Sequence, residues 1–140
     1  MRNALFFLTL CFTAIIVFLI AYDGRRSEAQ TIAAATPWTS STAAEACHVF
    51  ATRPVNMTGY SVTSGATAGF IMVFDAAAAP ADGAATPALP AQTLAATATV
   101  NYQPTLSPAR FGNGLVICFS STGPFSKTAS ATAAIGAQFQ

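Results

Sequence analysis

Two short apolar runs share one pattern: Gly69-Phe70-Ile71-Met72-Val73-Phe74-Asp75 and Gly114-Leu115-Val116-Ile117-Cys118-Phe119-Ser120. Each begins with glycine, continues through five apolar residues of which the last is aromatic, and ends with a small polar residue. Runs of this length are too short for an ordinary helix and are rich in β-favouring side chains, so they indicate buried strands. Because both faces of each strand are apolar, we expect the two strands to lie centrally in a sheet with cover on both sides.

The alternation of side chains along a strand predicts which residues of these runs share a face. We expect one face of the first run to carry Phe70, Met72 and Phe74, and the other to carry Ile71 and Val73. Matched position by position, the second run places Leu115, Ile117 and Phe119 with the first set and Val116 and Cys118 with the second.

Shorter β-like segments surround the two runs, at residues 47–52, 60–63, 95–102 and 128–139. Turn signals such as Ser64-Gly65 and Gly112-Asn113-Gly114 separate them. The total is about six or seven strands in roughly 95 residues, a spacing typical of sandwiches and barrels. The sequence therefore predicts an all-β fold, a single small β-sandwich (jelly-roll-like) domain at residues 47–140, preceded by an N-terminal hydrophobic helix.

An apolar run at residues 4–22 is long enough to cross a membrane, since about 19 helical residues span the roughly 30 Å hydrocarbon core. The small residues Ser27 and Ala29 also fit a signal peptide that is cleaved before Gln30. Both interpretations of residues 1–29, retained anchor or cleaved signal, stay open. Residues 30–46, rich in Ala, Thr and Ser, are predicted to be a linker.

The chain is poor in charge. Charged residues make up 8% of it, against a usual share of roughly 25%. After Gln30 the basic and acidic side chains cancel; they are Glu45, Arg53, Asp75, Asp82, Arg110 and Lys127. With this balance the sequence has no excess of basic residues that would attract nucleic acid. A surface of Thr, Ser and Ala suits a subunit that packs against neighbours, either copies of itself or a larger lattice.

The residue types that usually carry catalysis are scarce. His48 is the only histidine, and the adjacent Cys47 would point to the opposite face of a strand, so the pair does not share a metal. No Gly-x-Ser-x-Gly nucleophile elbow is present. Asp75 and Asp82 are too few for a calcium site and are expected to cap turns. We predict a protein that is not an enzyme, with no catalytic residue, no metal, no cofactor and no small-molecule substrate.

Cys47 and Cys118 are the two cysteines after the apolar run. In an oxidising compartment they can form a disulfide that encloses about 70 residues. The alternative is a pair of buried reduced thiols, because Cys118 lies inside an apolar strand. The sequence leaves both alternatives open.

A long excursion, residues 76–94, separates the first central strand from the next segment. Its Ala content favours helix, but three prolines and a glycine oppose one. We predict a long ordered crossover or excursion. Unsupported connections of this length are often functional or interface-forming, and this one is able to lie across a neighbouring subunit. With the aromatic residues outside the central strands, the candidate interface residues are Trp38, Tyr60, Pro80, Asp82, Pro87, Pro90 and Tyr102.

From about Arg53 onward the chain resembles small, mostly uncharacterised proteins from the structural gene regions of tailed phages and prophages. The matching pieces are Ala68-Gly69-Phe70-Ile71-Met72-Val73-Phe74-Asp75, Pro80-Ala81-Asp82-Gly83 with Pro87, Phe111 with Gly114-Leu115-Val116, Phe119-Ser120-Ser121-Thr122-Gly123-Pro124-Phe125, and Lys127-Thr128-Ala129-Ser130-Ala131-Thr132-Ala133. The resemblance implies a virion-associated role, such as capsid decoration or a minor tail component. It carries no catalytic residue across.

Two hypotheses of function follow. The first is a non-enzymatic structural protein of a phage virion, located in the virion or anchored in a membrane through residues 4–22, whose partners are its own copies or the virion lattice. The second is a membrane-anchored or secreted bacterial binding module with the same sandwich. In its secreted form it would lie outside the cytoplasm after cleavage before Gln30.

Overall fold

A computed structural model of the chain describes residues 37–129 and 132–140. The predicted anchor or signal at residues 1–29 and the hydrophobic helix within it lie outside the described residues. The described part is all-β and has no helix long and apolar enough to cross a membrane. Its strands are β1 (Trp38–Ser40), β2 (Cys47–Ala51), β3 (Val55–Ser64), β4 (Gly69–Asp75), β5 (Gly83–Ala84), β6 (Gln92–Leu94), β7 (Thr99–Tyr102), β8 (Ala109–Phe111), β9 (Leu115–Ser120), β10 (Ser126–Lys127) and β11 (Ala133–Phe139).

These strands form three antiparallel sheets. The largest has the order β1-β11-β3-β7, and β8 pairs with the first half of β3. The second has the order β2-β9-β4-β6, and the third pairs β10 with β5. The two runs predicted to be central strands are β4 and β9, which pair in the middle of the four-stranded sheet. That prediction is confirmed.

The two larger sheets contribute to one apolar core. Alternation along each strand sends every second side chain into it. From the four-stranded sheet the core takes Ile71, Val73, Leu94, Leu115, Ile117 and Phe119, and from the five-stranded sheet Val55, Met57, Tyr60, Val62, Phe111, Ala133, Ile135 and Ala137. A β-bulge lets both halves of β3 face inward. Gln138 pairs with Gly59 while Phe139 pairs with Met57, so Thr58 is an extra residue in β3.

The predicted correspondence between the two apolar runs is wrong in one respect. Met72 lies opposite Cys118 and Val73 lies opposite Ile117. Leu115, Ile117 and Phe119 therefore share a face with Ile71 and Val73, not with Phe70, Met72 and Phe74. In an antiparallel pair the side chains that share a face are set by the register between the strands, not by the position of each residue in its own run.

The other face of the four-stranded sheet carries a second group of buried residues, which we call the covered cluster: Met72, Phe74, Val116 and Cys118. Ala76, Ala85 and Ala91 pack against it. The excursion, which the sequence indicated as able to lie across a neighbouring subunit, lies across the sheet of its own domain. Its three packed alanines bring the backbone close to the sheet, whereas its other alanines are exposed.

The predicted linker at residues 30–46 is wrong for residues 37–46, which belong to the domain. Trp38–Ser40 pairs with β11, and the Ser41 amide donates to the Ile135 carbonyl at 2.8 Å. The Glu45 amide donates to the Ala133 carbonyl at 2.9 Å. The side chains of β1 are all exposed, so this edge strand leaves no apolar pattern in the sequence.

Candidate interaction surface

The five-stranded sheet turns one face to the core and the other to solvent. Because Tyr60 and Val62 point inward, Ser61 and Thr63 point outward, and the register carries this alternation to the neighbouring strands. We call the outward surface of β1, β11, β7 and the second half of β3 the neutral face. It consists of Trp38, Ser40, Gly59, Ser61, Thr63, Thr99, Asn101, Ala134, Gly136 and Gln138.

Trp38 borders a shallow depression on the neutral face. A Cβ atom on Gly136 would lie 3.6 Å from both the Cε3 atom of Trp38 and the Cβ atom of Ser40, so the indole leans over a position with no side chain. The depression has a volume of about 200 Å³ and is lined by Trp38, Ser40, Ser61, Thr63, Ala134, Ile135 and Gly136. Trp38 itself remains 49% exposed. The face thus offers a large aromatic side chain beside small ones.

No charged side chain belongs to the neutral face; Arg110 of β8 lies on the same side of the sheet but beyond the bulge, opposite Asn56. The hydroxyl groups of Thr63 and Thr99 hydrogen-bond to each other at 2.8 Å across the strand pair, so two polar groups are satisfied within the face. The acidic side chains of the described part lie elsewhere, each with an internal partner. This surface can approach another protein without removing an ion from water, which is the costly step in burying a charged surface.

Asp75 holds the turn that precedes β9. Its carboxylate accepts hydrogen bonds from the backbone amides of Gly112 at 3.0 Å, Asn113 at 2.6 Å and Gly114 at 3.3 Å. These bonds, with that from Asn113 the strongest, lower the pKa of Asp75. Gly114 has a φ of +150°, and a Cβ there would lie 2.5 Å from the Ala51 carbonyl oxygen. Turn capping by Asp75 therefore agrees with the sequence prediction, although the turn lies far along the chain.

Cys47 and Cys118 form a disulfide, one of the two alternatives that the sequence left open. They lie directly opposite each other on β2 and β9. His48 occupies the other face of β2, where its Nδ1 atom lies 2.6 Å from Oε1 of Glu45 and its ring packs edge-on against Phe50 at 4.5 Å. The disulfide and the His48 ring thus both make contacts within the fold. Within residues 37–129 and 132–140, no group of three or more His, Cys, Asp or Glu side chains could hold a metal ion.

The structure does not bring the predicted interface residues together. Trp38 lies on the neutral face, whereas the excursion with Pro80, Asp82, Pro87 and Pro90 crosses the opposite side of the domain.

Tyr60 is 2% exposed and belongs to the core, so its prediction as an interface residue is wrong. It stacks on the half-buried Tyr102 with ring centroids 5.1 Å apart. Burial, followed by the nearby Tyr102, raises the pKa of Tyr60 to about 12. The amphipathic side chain of a tyrosine can lie on either face of a strand. The bulge at Thr58 decides that Tyr60 faces the core, and no sequence pattern predicts that bulge.

The sequence prediction missed the small residues of the neutral face. Ser61, Thr63, Ala134 and Gly136 alternate with buried apolar residues, and that alternation was visible in the sequence. What the sequence could not show is that β3 and β11 are neighbours, since they are far apart along the chain. The face exists only through that pairing.

Comparison of the chain with protein-family models, with curated proteins and with solved structures gave no match.

Proposed function

We propose that the domain is a β-sandwich of the jelly-roll type. Apart from β5, β8 and β10, eight strands form two four-stranded arrangements, β1-β11-β3-β7 and β2-β9-β4-β6. Successive strands alternate between the two sheets except where β4 is followed by β6 in the same sheet. In each sheet a late strand lies between two early ones, β11 between β1 and β3 and β9 between β2 and β4, as two interlocked Greek keys require. Jelly rolls occur among viral capsid domains and lectins.

We further propose that the protein is a non-enzymatic structural subunit of a phage virion, a capsid decoration or minor tail component, which assembles through the neutral face. The observation that carries this proposal is an uncharged sheet face with Trp38 beside a shallow depression. Interface cores are depleted in charged residues and enriched in aromatic ones. Because one fold serves many functions, the face and not the fold carries the argument.

A second copy of the chain is the partner that this face fits best. The small side chains of Ser61, Ala134 and Gly136 let another sheet approach to about the 10 Å spacing of packed sheets. The aromatic ring of Trp38 on one copy would then fill the depression of the other, an isologous contact of the kind that closed dimers use. Such an interface buries Trp38, the type of residue that dominates binding energy.

The test places a charge on this face. Ala134→Lys puts an ammonium group on the neutral face beside the depression, and Ala78→Lys makes the same change at an exposed position of the excursion. We expect the wild-type chain and Ala78→Lys to assemble and to enter purified particles, and Ala134→Lys to stay monomeric and outside them. Sedimentation velocity and mass spectrometry of the particles measure the two effects. Assembly of Ala134→Lys at the wild-type level, or absence of the wild-type chain from particles, would rule out the proposal.

The disulfide favours a second candidate, an exported bacterial binding module. Disulfides persist mainly in oxidising compartments outside the cytoplasm, and Cys47 and Cys118 are bonded. In this case the neutral face would take a ligand instead of a second copy. A disulfide-bonded chain that begins near Gln30 and is recovered as a free monomer outside the cell would favour this candidate over the virion subunit.

A further inference from the structure

The segment that crosses the four-stranded sheet, residues 76–91, is what hides an apolar surface, and we call it the strap. Ala76, Ala85 and Ala91 pack on the covered cluster. No side chain of that cluster is more than 5% exposed. If the strap were lifted, a group of adjacent apolar side chains would face solvent.

The strap is fastened at its middle to the segment that follows β9. Gly83–Ala84 pairs with β10, and the Ala85 amide donates to the Phe125 carbonyl at 3.0 Å. The Asp82 carboxylate accepts hydrogen bonds from the Lys127 ammonium and from the Ala129 backbone amide, the latter at 3.2 Å. These contacts are concentrated within a few residues on each side.

Before and just after this fastening the strap is lightly held, because residues 77–79 and 86 are exposed. On the return side it is held more firmly. The Ala88 amide donates to the Val73 carbonyl at 2.7 Å, and the partly buried Leu89 packs against the main core. Segments with few buried contacts open locally at a lower free energy than the core needs for global unfolding.

Lys127 has an unusual position for a lysine. Its side chain is 4% exposed, whereas that of its partner Asp82 is 52% exposed. A buried ammonium group is stable in a folded protein when a counter-charge accompanies it. Loss of the Asp82 charge therefore favours a state in which Lys127 reaches water, and Lys127 reaches water when the strap moves away from β10.

We propose that residues 76–87 of the strap open as a unit on the otherwise folded domain, that the Asp82–Lys127 pair is their latch, and that opening uncovers part of the covered cluster. The device is independent of the neutral face, which lies on the opposite side of the core. It gives the domain a second candidate interaction surface, an apolar one that is exposed only in the open state.

Acid favours the open state. The hydrogen bond from Lys127, and after it that from the Ala129 amide, lowers the pKa of Asp82. Among the described residues, Lys127 is the charged group that faces Asp82. The latch is therefore complete above the ordinary aspartate pKa of about 3.9 and is lost as the pH falls through the lowered value in the folded protein.

The chain provides its own reporter, because Lys127 is its only lysine. An amine-reactive acetylating reagent at pH 7.5 modifies Lys127 when the strap is open, and peptide mass spectrometry measures the rate. We expect Asp82→Asn to raise this rate at least about tenfold, since the change leaves the buried ammonium without its counter-charge. We also expect the increased rate to depend little on low urea concentrations, as local opening does.

Asp75→Asn is the matched control. It makes the same carboxylate-to-amide change immediately before the strap, but it weakens the turn at residues 112–114 and not the latch. Its effect on Lys127 should follow global unfolding and rise with urea. A wild-type rate in Asp82→Asn, or an increase with the same urea dependence as in Asp75→Asn, would overturn the proposal.

Hydrogen exchange in the wild-type chain tests the same opening without a substitution. The Ala85 amide should exchange by an opening of lower free energy than the amides of β9, whose side chains are all buried. Equal free energies of opening for Ala85 and β9 would mean that the strap moves only when the whole domain unfolds, and the proposal would fail.

Discussion

The Asp75 carboxylate makes the stability of the domain depend on pH. Three backbone amides donate to it and lower its pKa. A group with a lowered pKa in the folded state stabilises the protein above its ordinary pKa, about 3.9, and loses this contribution as the pH falls through the lowered value. An asparagine at this position offers one acceptor oxygen in place of two, so at least one turn amide loses its partner.

We therefore expect Asp75→Asn to lower the Tm at pH 7 by about 4 °C or more. The difference in Tm between the two chains should be smaller at pH 2.5 than at pH 7, because the wild-type carboxylate takes up protons as the pH falls through its lowered pKa. Asp82 titrates in both chains, so its contribution cancels in the difference. Thermal unfolding followed by circular dichroism at the two pH values measures the effect. An equal Tm difference at both would show that the Asp75 charge is irrelevant.

The role of Asp75 could be predicted from the sequence, but its partner could not. An aspartate that ends a buried strand favours turn capping, and the structure agrees. The turn that it caps is 37 to 39 residues further along the chain. No local sequence pattern shows which distant turn an aspartate will contact. For Tyr60 the predicted role itself was wrong. A one-residue bulge in β3 decides which face of the sheet Tyr60 occupies, and the sequence does not show that bulge.

The disulfide connects an edge strand to a central one. Cys47 in β2 and Cys118 in β9 are separated by 71 residues in sequence. A cross-link over a loop of this size restricts the unfolded chain and adds about 4 kcal/mol to the free energy of unfolding by the chain-entropy estimate. We expect the double variant Cys47→Ala, Cys118→Ala to lose up to that amount in urea denaturation.

The reduced wild-type chain is the control for this double variant, since it keeps both side chains but not the bond. Both proteins should unfold at lower urea concentration than the oxidised chain, with β2 the first strand to lose protection from hydrogen exchange. A double variant as stable as the oxidised chain would mean that β2 is held by its side chains and backbone pairing alone.

The central strands could be predicted from the sequence and the edge strands could not, for a physical reason. β4 and β9 are buried on both faces and read as continuous apolar runs. β1, β5 and β10 have two or three residues, most of them exposed, and exist because a neighbouring strand offers free backbone groups. Their formation depends on tertiary pairing, so the predicted boundary at residue 47 falls inside the domain.

The few charged side chains have specific positions in the folded domain. The composition predicted a subunit that packs against neighbours but could not say through which surface. In the described part, Glu45 contacts His48, Asp75 holds a turn and Asp82 pairs with Lys127. Because the acidic side chains make contacts within the fold and Arg110 lies at the β8 end of the sheet, the neutral face has no charged side chain, and this is the surface proposed for assembly.

Trp38 allows that proposal to be followed on the intact protein, because it is the only tryptophan of the chain and is 49% exposed. If copies associate through the neutral face, the indole leaves water. We then expect its fluorescence emission to shift to shorter wavelength and its quenching by acrylamide to fall as the protein concentration rises. Ala134→Lys should keep the emission and quenching of the monomer at every concentration. Association measured by sedimentation velocity with no change at Trp38 would place the interface on another surface of the domain, since an aromatic ring cannot be buried in a contact and keep its access to the quencher.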